Sequence, residues 1–236
     1  MTKVALITGA SGGIGSAITE ELRSHGYNLG LLDINIEERD SERALAQYCD
    51  VTKAEDVEEG VSNAISRFGR VDVLINCAGR SHLGVIDKLT LEDLDRVYDL
   101  NVKGVFNVSK AVLPYMKNQG FGYIINIGSL RGIECAEAKG AYCMSKFALR
   151  AFSKTLRKEV EKFGIKVTVI NPGFVDTRVY GDIQLRPYVQ TLPGGSLKEA
   201  PLTQPEDIAK TILYLLDLSP GACIEELNIG RLWGFS

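Results

Sequence analysis

Paired cysteines, histidines, an excess of either charge and long apolar runs are all missing or scarce in this chain of 236 residues. Lys and Arg total 27 against 30 Asp and Glu, a net charge of −3, and no basic cluster or polybasic arm is present. Nucleic acid and acidic membrane surfaces are therefore not expected partners. The five cysteines (Cys49, Cys77, Cys135, Cys143 and Cys223) are odd in number and widely spaced, without a CxxC pair or a Cys/His cluster. That argues against a disulfide framework or a metal site, and for thiols packed as small apolar groups in a reducing compartment. The apolar run in "MTKVALITGA" breaks at Gly9, too short for a membrane span or a signal peptide, and no longer one follows. A soluble, cytoplasmic protein that binds no metal is the expectation. His25, at a helix end, and His82, in a loop, are read as solvated rather than catalytic.

What the chain does have is alternation. Short β-branched runs ("KVALIT", "YNLGLLD", "AQYCDV", "VDVLINCAG", "GYIINIG", "IKVTVINPG", "CIEELNIG") are separated by helix-length amphipathic segments. Strands that are apolar throughout, joined by crossover helices, predict an α/β fold whose doubly wound parallel sheet carries helices on both faces. No repeat, low-complexity tract or linker interrupts it, so residues 1–236 are expected to form one domain. The charged "EERDSER" is expected to be a solvated loop or short helix. Residues 178–204 lack periodicity and hold Pro187, Pro193, Pro201 and the Gly194–Gly195 pair. A loop this long in a compact domain is usually functional, and it is read as a substrate lid.

Directly after the first strand, "TGASGGIG" places Gly9, Gly13 and Gly15 where the chain turns into a helix. Glycines there permit a tight turn and the approach of a pyrophosphate to the helix N-terminus, where N–H groups and the dipole favour negative charge. A plain glycine-rich turn is the other reading. Asp33 ends the second strand, twenty-four residues after Gly9. A carboxylate there can accept from both hydroxyls of an adenosine ribose and repel a 2′-phosphate. No basic residue adjoins it, so NAD is expected and NADP disfavoured. A strand-end turn is again the plainer alternative.

These segments, with "CDVT", "NCAG", "NVKG", "INIGS", "YCMSK" and "NPGFVDT" in order and in register, resemble the short-chain dehydrogenase/reductase family. The likeness runs from about residue 3 to 230 and implies a Rossmann-type domain. Cys77 stands where that family more often has a second Asn, and the segment between Asp33 and Asp50 is short enough to put a helix there in doubt. The resemblance implies that Gly9, Ser11, Gly13, Ile14 and Gly15 form the cofactor loop and that Asp50 and Val51 approach the adenine. It makes Asn76, Ala78 and Gly79 a wall beside the ribose, with Pro172, Gly173 and Thr177 along the nicotinamide.

Tyr142 and Lys146 lie four residues apart, about 400° of helix, and so project from one face. A phenol titrating near pH ~10 is a poor base at neutral pH, and lowering it to about 7 requires roughly 4 kcal/mol in favour of the phenolate. A neighbouring ammonium and a positive nicotinamide ring provide attraction of that sign. By resemblance, Tyr142 is the acid/base, and Lys146 lowers its pKa and holds the nicotinamide ribose. The same resemblance makes Ser129, thirteen residues before Tyr142, the donor to the substrate oxygen, and Asn101 the holder of a water that links Lys146 to solvent. The function implied is an NAD-dependent oxidoreductase interconverting a secondary alcohol and a ketone, assembled as a homotetramer or homodimer. A non-catalytic nucleotide-sensing or scaffold protein on the same fold is the alternative. Such relatives usually lack the Tyr or the Lys, and here all four positions are filled.

Overall fold

The first strand, β1 (Val4–Thr8), is buried along its whole length, as are β5 (Val73–Asn76) and β6 (Gly122–Ile127). Strands without a polar face must be covered on both sides, and these three form the centre of the sheet in this computed structural model, which describes residues 2–36, 39–177 and 202–230. Around them lie β2 (Asn28–Asp33), β4 (Ala44–Tyr48), β7 (Ile165–Pro172) and β8 (Glu226–Ile229), all parallel, with a two-residue antiparallel β3 (Arg39–Asp40) at the edge. The order is β3-β4-β2-β1-β5-β6-β7-β8. The chain thus winds outward in both directions from the β1/β5 junction, and a crevice at the carboxyl ends of these strands is where such sheets bind ligands.

Helix α1 (Gly13–Ser24) and helix α6 (Pro205–Asp217) cover one face, burying Ile18 and Leu22 with Ile208, Ile212 and Leu215. The other face carries α2 (Ala54–Phe68), α4 (Val105–Gln119) and α5 (Gly140–Val160), which bury Val57, Val61, Val108, Val112, Leu156 and Val160 against Leu6, Leu74 and Ile124. Helix α3 (Leu91–Tyr98) starts at a capping box in which Thr90 Oγ1 accepts from Asp93 N and Asp93 Oδ2 accepts from Thr90 N, both at 3.1 Å. Helices α2 and α4 end at Gly69 and Gly120, whose φ values of 77° and 73° suit glycine.

One segment differs from the sequence expectation. Part of "EERDSER" is neither loop nor helix: Arg39 and Asp40 pair with Ala46 and Leu45 as an antiparallel edge. Strand β3 returns into β4 through a narrow hairpin in which Ser41 N donates to Ala44 O at 2.8 Å. Residues 91–119 are helical throughout, though not α-helical throughout. A π-helical turn at Asp99–Gly104 separates α3 from α4. At its end a Cβ on Gly104 would lie 2.7 Å from Val51 Cγ2, so the turn seats directly on the strand-β4 exit.

Candidate active site

The site is built where β1, β2, β5, β6 and β7 end. Gly9, with φ 66°, leaves β1 so close to the neighbouring loop that a Cβ would lie 2.8 Å from Ala78 N and Cα. Thr8 Oγ1 ties the two loops together by accepting from Cys77 N at 3.1 Å and Ala78 N at 3.2 Å. A Cβ on Gly15 would lie 2.0 Å from Gly9 O, so α1 rests on the loop with no room for a side chain. Gly13 is likewise closed by Thr177, whose Cβ would be 2.9 Å away. Helix α1 opens at Gly12 with no side-chain cap and no acidic residue in its first turn, while Ile14 packs behind it on the core. Its first N–H groups are thus available to an anion, the arrangement a dinucleotide's pyrophosphate requires.

Asp33 is 9% exposed and fixed through both oxygens: Oδ2 accepts from Ser11 N at 3.0 Å and Oδ1 from Asn35 N at 2.9 Å. These bonds lock the carboxylate beside the glycine loop and leave lone pairs for a ribose hydroxyl. Asp50 spends Oδ1 on Thr52 N and Oγ1, at 3.0 and 2.8 Å. Val51 and Asn76 turn their side chains inward. Val51 belongs to the core, and Asn76, 2% exposed, donates to Asn126 Oδ1 at 2.8 Å and Ser109 Oγ at 3.2 Å. Anything these two residues offer a cofactor comes from their backbone. Pro172 ends β7, and Gly173 N donates to Ile229 O at 2.7 Å, which holds the following segment against β8.

Helix α5 carries Tyr142 and Lys146 over the exit of β6. The ammonium of Lys146 donates to Ile127 O at 2.9 Å, and its Nζ lies 5.7 Å from the Tyr142 ring centre. Burial lowers the Lys146 pKa to about 8, with Cys77 acting in the opposite direction. Ser129, 8% exposed, is held by Ser129 N donating to Asn171 Oδ1 at 3.3 Å. Its Oγ accepts from Arg131 N at 3.1 Å, and its own O–H has no acceptor among the described residues. That proton is available to a ligand oxygen. Asn101, fully buried in the π-helical turn, holds Arg80 by both backbone groups, at 2.9 Å each, and donates to Ser145 Oγ at 3.0 Å. Gly79 joins the set: a Cβ there would meet Asn101 Oδ1 at 3.3 Å and Lys146 Nζ at 3.6 Å.

The structure therefore gathers Tyr142, Lys146, Asn101 and Gly79 at one point, with Ser129 at the exit of the adjoining strand. Four contributors escape a reading of the sequence. Thr8 and Asn171 act through bonds between loops distant in sequence, and Ser145 links Tyr142 O to Asn101. Lys139 lies with its Nζ 5.6 Å from the Tyr142 ring centre. Only Ser145 had a signal, a small hydroxyl one helical turn beyond Tyr142. Residues 178–201 of the candidate lid lie outside the described residues.

The family model described as short chain dehydrogenase matches residues 3–186. An uncharacterized oxidoreductase of Staphylococcus saprophyticus is 34% identical, and one of Staphylococcus epidermidis 32%, each alignment covering 96% of both chains. Among solved structures, a 3-ketoacyl-(acyl-carrier-protein) reductase from Brucella melitensis complexed with NADH superposes with a TM-score of 0.85 at 26% identity, over 97% of this chain and 96% of that one. An alcohol dehydrogenase from the archaeon Thermococcus sibiricus complexed with 5-hydroxy-NADP gives 0.85 at 29%, over 100% and 99%. By its sequence, its sheet order and these relatives, the chain belongs to the short chain dehydrogenase family and is an oxidoreductase.

Proposed function

We propose that this oxidoreductase uses NAD to interconvert a secondary alcohol and a ketone, with Tyr142 as the acid/base. The observation that carries the reading is a buried ammonium, Lys146 Nζ, placed 5.7 Å from the Tyr142 ring centre beside the strand exit that holds the unspent Ser129 hydroxyl. The nicotinamide nucleotide, when bound, supplies or accepts the hydride. The glycine loop, Asp33 and Lys146 are the groups that would hold it. Ser129 donates its O–H to the substrate oxygen. Tyr142 gives its phenolic proton to that oxygen during reduction and takes it back during oxidation, while the Lys146 charge stabilises the phenolate. Asn101 fixes the loop at Gly79 and Arg80 and so sets the wall beside Lys146. A panel of ketones and alcohols, followed by the absorbance of the reduced ring, tests the reading. Bound NADH that turns over with none of them favours the non-catalytic alternative.

NAD is favoured by Asp33, locked at the end of β2 and followed by Ile34, Asn35 and Ile36 rather than by a basic residue. The two solved neighbours were complexed with an NAD and an NADP type of ligand, so the choice rests on this carboxylate. NADH is expected to bind at least tenfold more tightly than NADPH. Tenfold is about 1.4 kcal/mol, modest for a lost hydrogen bond plus charge repulsion. Titration of both into the apo protein decides, and equal affinities overturn the assignment.

A homodimer or homotetramer is also proposed. Phe106 on α4 and Met144 and Phe147 on α5 are large apolar side chains 49%, 51% and 39% exposed, and Phe106 borders a groove of about 480 Å³ that includes Phe152 and Leu149. Apolar surface of this kind on neighbouring helices suits a two-fold interface. Light scattering is expected to show at least a dimer at micromolar concentration, and a monomer would refute it. Five free thiols suit a cytoplasmic location.

A further inference from the structure

Lys139, at the residue preceding α5, brings a second ammonium to the Tyr142 ring. Its Nζ reaches across to the loop after β5 and donates to Ser81 Oγ at 2.7 Å. The backbone is bent to put it there. Ala138 has φ 56°, in the left-handed region that non-glycine residues occupy only where their surroundings hold them. Those surroundings are visible: Ala138 O accepts from Gly84 N at 2.9 Å, and Gly84 and Lys139 form a parallel bridge that clips the two loops together.

A partly desolvated ammonium is normally matched by a carboxylate. Among the described residues Lys139 has none, and its hydrogen-bond partner is a neutral hydroxyl. Burial first, then the Arg131 cation, lowers its pKa, with only Cys143 acting the other way. Arg131 is equally without a carboxylate among the described residues. Its guanidinium makes one long bond to Cys135 O at 3.5 Å, while its backbone N–H is bound to Ser129 Oγ. Two cations that meet no carboxylate among the described residues thus lie within electrostatic reach of each other, Lys139 over the Tyr142 ring and Arg131 two residues after Ser129, the pair expected to hold the reacting carbonyl.

We infer that the substrate carries an anionic group, a carboxylate or a phosphate, which Lys139 and Arg131 bind beside the reacting carbon. This rests on the proposed roles of Tyr142 and Ser129. It narrows the substrate from any secondary alcohol or ketone to an acidic one, and it makes Lys139 a specificity residue. A purely electrostatic effect of Lys139 on the Tyr142 phenol is the competing role, and it would act alike on every substrate.

The test compares matched pairs with the enzyme and NADH: an oxo acid with its methyl ester, and a keto phosphate with its dephosphorylated form. The anionic member of at least one pair is expected to be favoured by about tenfold or more in kcat/KM, and the pair that responds identifies the anion. In Lys139→Gln that ratio should collapse towards one, and Lys139→Arg should restore part of it. Parity in both wild-type pairs overturns the inference, as does an equal loss on charged and neutral members in Lys139→Gln. Reduction of no carbonyl compound at all would instead sink the proposed oxidoreduction. The same pairs titrated calorimetrically into the protein with NADH then decide, with a preference for the anion supporting the inference and parity overturning it.

Discussion

Tyr142→Phe is expected to lower kcat by about 10²–10⁴-fold, the range for loss of a positioned general acid/base, while the Kd of NADH stays within about threefold. The substitution removes one oxygen and little else. The phenyl ring keeps its place between the ammonium groups of Lys139 and Lys146, at 5.6 and 5.7 Å from its centre, because their attraction is to the ring face. The bond from Ser145 Oγ to Tyr142 O involves only the backbone and survives. What disappears is the proton that the substrate oxygen must gain or lose. The magnitudes favour this assignment. Bringing a phenol from about 10 to about 7 takes roughly 4 kcal/mol, and one unit charge at about 6 Å contributes about 3 kcal/mol at an effective dielectric of ~20. Steady-state kinetics and an NADH titration on the same preparation check it. Retention of most activity would move the proton path elsewhere, and a large rise in Kd would mean that the hydroxyl serves binding rather than chemistry.

What could be read from the sequence here is what is governed by short-range periodicity. Four-residue spacing alone puts Tyr142 and Lys146 on one face, and an apolar strand followed by glycines at fixed spacing implies the β1–α1 turn. The position of Asp33 follows from the same arithmetic, since a strand must end before its side chain can reach a neighbouring loop. The π-helical turn is different. Asn101 faces Arg80 and Ser145 because one extra residue is accommodated in a helix whose 3.6-residue pattern looks unbroken, and nothing in "DLNVKG" announces it. The inward turn of Asn76 depends on Asn126 and Ser109, fifty and thirty-three residues away, which complete a polar chain that periodicity cannot pair. Lys139 is the hardest case. A lysine ahead of a helix looks solvated, and only the left-handed Ala138 and the bridge to Gly84 send it into the cleft.

Lys146→Met is expected to separate catalysis from stability. The ammonium is 6% exposed, its hydrogen bond goes to one carbonyl, and burial lowers its pKa from 10.5 to about 8. That displacement corresponds to about 3 kcal/mol of cost for keeping the charge inside. The sign follows from proton counting. Below pH 8 both folded and unfolded chains hold the proton, so the full cost is present. Between about 8 and 10.5 the unfolded chain still holds a proton that the folded chain has released, so the contribution of Lys146 to wild-type stability rises with pH. Met carries no charge and shows no such rise. The stability of the variant minus that of the wild type should therefore fall by up to about 3 kcal/mol across this window. Leaving Ile127 O without its donor costs roughly 1–3 kcal/mol at every pH, so the slope and not the absolute difference is diagnostic. Cys77, pushed up from 9.0 to about 12 by burial, lowers stability as pH rises above 9, but it is present in both proteins and cancels in their difference. Over the same substitution kcat should drop by at least about 10²-fold and NADH affinity by about tenfold, because Lys146 is assigned both the phenol and the ribose. Urea unfolding of both proteins at pH 7.5, 9 and 10, with NADH titration at pH 7.5, measures all three. A stability difference that stays flat with pH would mean the amine is not a buried cation, and an unchanged Kd would take the ribose away from it, leaving Lys146 only its action on Tyr142.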